Sequence, residues 1–249
     1  MSSSPTEARQ PPSPPRVVAV SGMVFAAMYA TSLVLLRLTI PADPTDPGKW
    51  LAEPAFRDAI RFALNLVPFT GIAFLWFMAV LRNRVGLLED RFFATVFLGS
   101  GLLFVVMLFG AAAVCRGLLD TFAAGASLPE QSETYRFGRG MAYSLMNTFG
   151  VKMAAIFIFV TSTIGLRVAV LPRWLVFVGY GLGLVLLLTI TDFAWIALVF
   201  PVWVLLVSTY ILVADFRHGN RRAARNATST SNAGPPAVTY TQERSSDPS

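Results

Sequence analysis

The chain of 249 residues has one cysteine, one histidine and few charges, with Asp, Glu, Lys and Arg together making up 14% of it. An ordinary soluble domain is about 25% charged. A chain this poor in charge cannot cover a globular surface facing water, and 55% of its residues are hydrophobic. The lone Cys115 excludes an intrachain disulfide framework. The lone His218, near the C-terminus, excludes paired-histidine haem ligation and leaves no intramembrane base for a Ser–His hydrolase. The sequence has no Cys/His cluster suited to zinc or iron–sulfur, no GxxxxGK[ST] loop, and no acidic cluster placed for Mg²⁺ and diphosphate chemistry. No cofactor or metal is therefore expected. The net charge of +6 does not imply nucleic-acid binding, because its arginines sit in loops and tails where membrane topology accounts for them.

What the chain does have is long apolar runs. A bilayer core about 30 Å thick needs about 20 mostly apolar residues as helix. Five hydrophobic blocks run over residues 17–40, 62–81, 92–115, 141–166 and 174–213. The last is too long for one span. Thr189, Thr191 and Asp192 at its middle are good helix N-cap chemistry and divide it in two. The expectation is an all-α polytopic membrane protein of six transmembrane helices over residues 17–215. Runs such as GLLFVVMLFGAAAV do not alternate, which argues against a β-barrel. Gly22, Ala26 and Ala30 share one helix face, and Gly179 and Gly183 form a GxxxG, so both faces suit close helix packing. Pro68 and Pro201 are expected to kink their helices. Trp50, Trp174 and Trp195 fall near the predicted interfaces.

Orientation follows from the basic residues of the short loops. With the N-terminus in the cytoplasm, the inner segments hold Arg9, Arg16, Arg82, Arg84, Arg91, Arg167, Arg173, Arg217, Arg221, Arg222 and Arg225, eleven without Arg244 at the far end of the tail. The outer segments hold seven: Arg37, Lys49, Arg57, Arg61, Arg116, Arg136 and Arg139. The protein is expected in the cytoplasmic membrane with both termini in the cytoplasm, and the first hydrophobic run reads as a retained span. Residues 1–16 are Pro-rich and residues 216–249 are rich in Ser, Thr, Asn and Arg, so both are expected to be disordered cytoplasmic tails. Arg217, Arg221, Arg222 and Arg225 either dock on anionic lipid or act as ordinary stop-transfer charge. Asn226-Ala227-Thr228 matches a glycosylation sequon, but the expected topology puts it in the cytoplasm. In the first outer loop, Trp50, Leu51, Phe56 and Ile60 suit a segment resting on the interface.

Lys152 is the most informative residue. It lies fifteen residues outward of Arg167, or roughly 22 Å along a helix, inside the fourth span. An ionisable group at that depth is a functional candidate. Ser144, Thr148 and Lys152 are spaced by four and form one polar face that could point into a cavity. The competing reading is a lysine whose stem carries its ammonium to the outer interface. Asp192 either pairs with Lys152 or caps the sixth helix. Asn65, with Arg61, Arg37 and Asn147, adds polarity to the outer half of the bundle, as an outward-open vestibule or as ordinary interfacial placement. Cys115 reads as a packing residue, and Asp90 as a cap for the third helix.

The segments FLWF (residues 74–77), EDRFFATVFLGSGLLF (89–104), LPRW (171–174) and FPVWVLL (200–206) resemble a group of bacterial multi-pass integral membrane proteins with no assigned activity. The resemblance covers the hydrophobic region and implies a membrane location, and it supplies no site residues. The excess of Arg over Lys is compatible with a GC-rich bacterial genome. Two functions are expected to compete. One is a non-enzymatic membrane component binding lipid, a membrane-protein partner or a second copy. The other is a small transporter or permease subunit with Lys152 in the substrate or ion path. A lipid-modifying enzyme would need an acid–base pair that the spans do not contain.

Overall fold

The computed structural model describes residues 14–40, 53–85, 91–123, 133–168, 171–189 and 195–232. Among them the secondary structure is helical throughout, with no strand. The helices are α1 (Pro14–Thr39), α2 (Pro54–Val85), α3 (Arg91–Ala123), α4 (Glu133–Tyr143), α5 (Val151–Arg167), α6 (Arg173–Leu188) and α7 (Val199–Asn232). A π-helical stretch, Ser144–Gly150, joins α4 to α5 without a break, and a 3₁₀ turn, Ile196–Leu198, leads into α7. The segments Ala19–Thr39, Pro54–Arg82, Arg91–Thr121, Glu133–Arg167 and Ile196–Arg217 are each long and apolar enough to cross a membrane, five in all. The remaining apolar helix, α6, has 16 residues. The chain divides into two compact units, Met1–Leu212 and Val213–Ser249.

Several boundaries move from their expected places. The second helix begins at Pro54, a position where proline's missing N–H costs nothing. Ile60 is consequently buried with Leu64, Leu119 and Tyr135 instead of resting on an interface. Trp50 and Leu51 lie outside the described residues, as does Asp90. The fourth span starts at Glu133, so Arg136 and Arg139 are helical residues rather than loop residues. The long apolar block does divide where the threonines stand, since α6 ends at Leu188 and helix resumes at Ile196. Pro68 is inside α2, whereas Pro201 falls in the first turn of α7 and interrupts no ladder there. In the second unit α7 continues to Asn232, past residue 216 where composition stops predicting order. A helix already nucleated extends at little cost over Arg- and Ala-containing sequence.

The core of the first unit is a cluster of aromatic rings. Phe74 on α2 is fully buried and touches Phe25 of α1, Phe104 of α3, Phe157 of α5 and Phe200 of α7, at centroid distances of 4.8, 5.3, 5.2 and 5.6 Å. Tilted and edge-on contacts of this kind add to packing beyond the area they bury. Between helices in lipid, where apolar surface gains nothing by leaving the tails, such packing is the main attraction. Small residues bring the backbones close. A Cβ on Gly22 would overlap Ser208 Oγ and the Phe77 ring, and one on Gly179 would overlap Ser162 Oγ and approach Trp203 Nε1 to 3.1 Å. Gly183, the second glycine of the GxxxG, faces Phe159 in the same way. At the other end of α5 the Arg167 guanidinium stacks 4.3 Å from the ring centroid of Phe93, which belongs to the EDRFF segment. The Trp174 and Trp195 side chains are exposed.

Candidate functional site

Four helical segments converge where α1 ends, α2 begins, α3 ends and α4 passes into the π-helix. They line a partly open cavity of about 150 Å³. Most of its wall is apolar, including Leu33, Leu36, Val67, Leu108 and Met146. The polar groups are Tyr29, Ser32 and Arg37 from α1 and Arg139, Tyr143 and Asn147 from α4 and the π-helix. Among the described residues, none that lines the cavity is acidic.

Arg37 stands close to the end of α1, where a long basic side chain would ordinarily extend toward headgroups and water. It turns inward instead. Its Nη2 donates to Asn147 Oδ1 at 2.9 Å, and its guanidinium carbon lies 6.0 Å from the centroid of the Tyr143 ring. Asn147 Nδ2 donates to the Tyr143 carbonyl at 3.4 Å, which helps to hold the amide in place. Tyr29, buried on α1, directs its hydroxyl to Met146 Sδ at 3.9 Å. Ser32 is 2% exposed and its Oγ has no hydrogen-bond partner among the described residues.

The π-helix is the local device that builds this wall. Such stretches are rare and recur at functional sites, because the wider turn displaces the side chains that follow it. Here the stretch carries Met146 and Asn147 into the cavity. It ends at Gly150, where a Cβ would press on the Leu145 carbonyl oxygen at 3.2 Å. Cys115 also lines the cavity.

Lys152, Ser144, Thr148 and Asn65 lie elsewhere. Lys152 is outside the cavity. Its Nζ donates to the carbonyl oxygens of Leu186 (3.0 Å), Leu187 (2.6 Å) and Thr189 (2.7 Å). These three bonds match the three donors of an ammonium. They cap the C-terminal end of α6, where a positive charge suits the helix dipole and the last carbonyls lack helical partners. Ser144 and Thr148 are exposed and do not line the cavity. Asn65 is exposed and accepts from Arg116 Nη1 at 3.3 Å, while Arg116 Nε bonds Asp120 at 3.1 Å. Asp192 lies outside the described residues, and so do both readings of it, as a partner of Lys152 and as a cap. In the second unit, Arg217 is an exposed residue of α7, and Arg221, Arg222 and Arg225 fall on the same helix. Among the described residues there is no group of three or more His, Cys, Asp or Glu that could hold a metal ion.

Of the cavity's polar residues, the sequence reading names Arg37 and Asn147 but passes over Tyr29, Ser32, Arg139 and Tyr143. A signal was present. Arg139, Tyr143 and Asn147 are spaced by four, as are Ser144, Thr148 and Lys152 one position later. Neighbouring stripes of this kind are about 100° apart on a helix, and spacing alone does not say which one faces inward. No protein-family model, no curated protein and no solved structure matches the chain.

Proposed function

We propose that this chain is a six-span protein of the cytoplasmic membrane, with both termini in the cytoplasm, that binds an amphipathic anion and does not transform it. The observation that carries the reading is the inward-turned Arg37, held by Asn147 at the edge of a mostly apolar cavity that it shares with Arg139. A guanidinium in such a setting recognises an anion far better than it would in water, because the low dielectric strengthens the attraction. The lining groups are hydrogen-bond donors, amides and apolar side chains, which hold a ligand and offer no acid–base pair for turnover. A membrane lipid headgroup and a small amphiphile both have this chemistry.

The span that completes the six is α6, the fifth in chain order. Its 16 residues rise about 24 Å, some 6 Å short of a bilayer core about 30 Å thick. The Lys152 ammonium meets the carbonyls at the end of this short helix, so the helix stops within reach of the interface without exposing unpaired groups to lipid. A permease reading that routes substrate past Lys152 would first have to break those three bonds. The four arginines that follow residue 216 supply the cytoplasmic charge expected of this topology.

Native mass spectrometry of the protein, gently extracted from its own membrane, tests the binding reading. A stoichiometric anionic adduct is expected, and it should be lost in Arg37→Gln. A chain that carries no adduct, or one indifferent to Arg37→Gln, refutes it. Topology is checked by thiol labelling of Glu130→Cys in a Cys115→Ser background. Reaction from the cytoplasmic side alone would invert the orientation.

A further inference from the structure

The binding reading above leaves open what kind of anion enters, and the inference that follows rests on it. We infer that the cavity takes a monocarboxylate carried on a compact apolar body, with the carboxylate on Arg37 and the body between α1 and the π-helix.

Three observations converge on that class. The first is the form of the cation. A guanidinium presents five donors in a fixed planar fork. Asn147 takes one of them and fixes the plane of the fork. A carboxylate is planar and accepts two parallel N–H bonds from such a fork. A phosphate monoester would bring a second charge and a tetrahedral head into a space whose walls are mostly aliphatic, at a larger desolvation cost.

The second is size. A cavity of about 150 Å³ lined by Leu, Ile and Phe takes up a benzene molecule. This one has about the same volume, with aliphatic side chains in its wall beside the polar ones and one side open. It accommodates an aromatic ring or a short alkyl chain.

The third is Ser32. A buried hydroxyl in a folded protein nearly always has a partner. The Ser32 hydroxyl, on a residue of the cavity wall, is buried and has no partner among the described residues. It sits five residues before Arg37, or about 7.5 Å back along the helix axis. The wall therefore carries a polar residue between one and two turns deeper than the arginine, on the side toward which the body of the ligand would extend. In the proposed orientation the cavity opens toward the outer face, so the ligand arrives from outside the cell or from the outer leaflet.

The test uses the full chain in detergent or nanodiscs, with benzoate as probe and benzyl alcohol as its uncharged counterpart, followed by isothermal titration. Benzoate should bind saturably at one site per chain, and benzyl alcohol should not displace it. Arg37→Gln should weaken benzoate by about tenfold or more, the usual worth of one charge-assisted contact. Ala142→Leu fills the cavity from α4 without touching a polar group and should abolish binding, which keeps the test decisive if the Arg37 variant does not fold. Three results would overturn the inference: no saturable benzoate binding, equal affinity for benzyl alcohol, or binding unchanged in Ala142→Leu. A stoichiometric anionic phospholipid on a protein that ignores benzoate would sink the carboxylate and leave the binding reading standing. A protein that holds neither would sink both.

Discussion

Replacing Lys152 with methionine should weaken the fold and leave the cavity's ligand binding intact. The side chain keeps its length and apolar stem but loses three N–H···O contacts, at 3.0, 2.6 and 2.7 Å, to the last carbonyls of α6. A hydrogen bond to a charged group contributes about 1.5–3 kcal/mol net. The three share one ammonium at a partly exposed position, so they do not add in full, and water can replace some of what is lost. A cost of about 2–3 kcal/mol is the result, including the cation's favourable place at a helix C-terminus, which is worth about 0.3–1 kcal/mol. By soluble-protein scaling this lowers the melting temperature by about 4–10 °C in a chain of this size. Reversible unfolding in mixed detergent micelles gives the free energy. Amide exchange read by mass spectrometry gives the location, with faster exchange expected in the last turn of α6 and little change in α1 or the π-helix. Lys152→Arg should recover part of the loss, because the charge remains while the three-way geometry does not. Unchanged stability and unchanged exchange in the methionine variant would refute the capping role. So would lost benzoate binding in a protein that remains fully stable, since that outcome returns Lys152 to the ligand site.

Other predictions follow from the packing. Gly179→Ala places a methyl on Ser162 Oγ and against the Trp203 indole, and should cost about 1–3 kcal/mol in the same unfolding assay; a neutral result would mean that α5, α6 and α7 are not in close contact there. Phe74→Ala empties the centre of the ring cluster and should cost about 3–5 kcal/mol, whereas Trp76→Ala, at an exposed position two residues on, should cost far less. Cys115 lines the cavity, so its reaction with a small methanethiosulfonate should slow when benzoate is present. Equal rates with and without benzoate would place the ligand elsewhere.

The helical class and most of the long apolar helices were legible because a lipid core imposes a simple requirement, about twenty apolar residues at a stretch. The division of the last apolar block was legible for a local reason, the cluster of Thr189, Thr191 and Asp192 within it. The start of α2 was not, since Trp50 to Ile60 has an amphipathic composition equally suited to an interface and to the first turns of a helix. The site was legible only in outline. Lys152 attracted attention because an isolated charge in an apolar run is conspicuous, yet its partners are backbone carbonyls, which carry no mark in the sequence. Arg37 and Asn147 stand 110 positions apart, and nothing local in either segment points to the other. The π-helix adds a further difficulty. It shifts the phase of every side chain beyond it, and no residue pattern in SLMNTFG distinguishes it from an ordinary turn of α-helix.

The ring cluster around Phe74 also bears on how the protein is made. Phe25, Phe74, Phe104 and Phe157 emerge from the ribosome in that order, and Phe200 comes last, on α7. The first four rings touch through Phe74 without Phe200, so they can pack as each helix appears, and the cluster is complete only when the final ring arrives. The cavity walls, which lie on α1 to α4 and the π-helix, are all synthesised before the residue that completes the core beneath them.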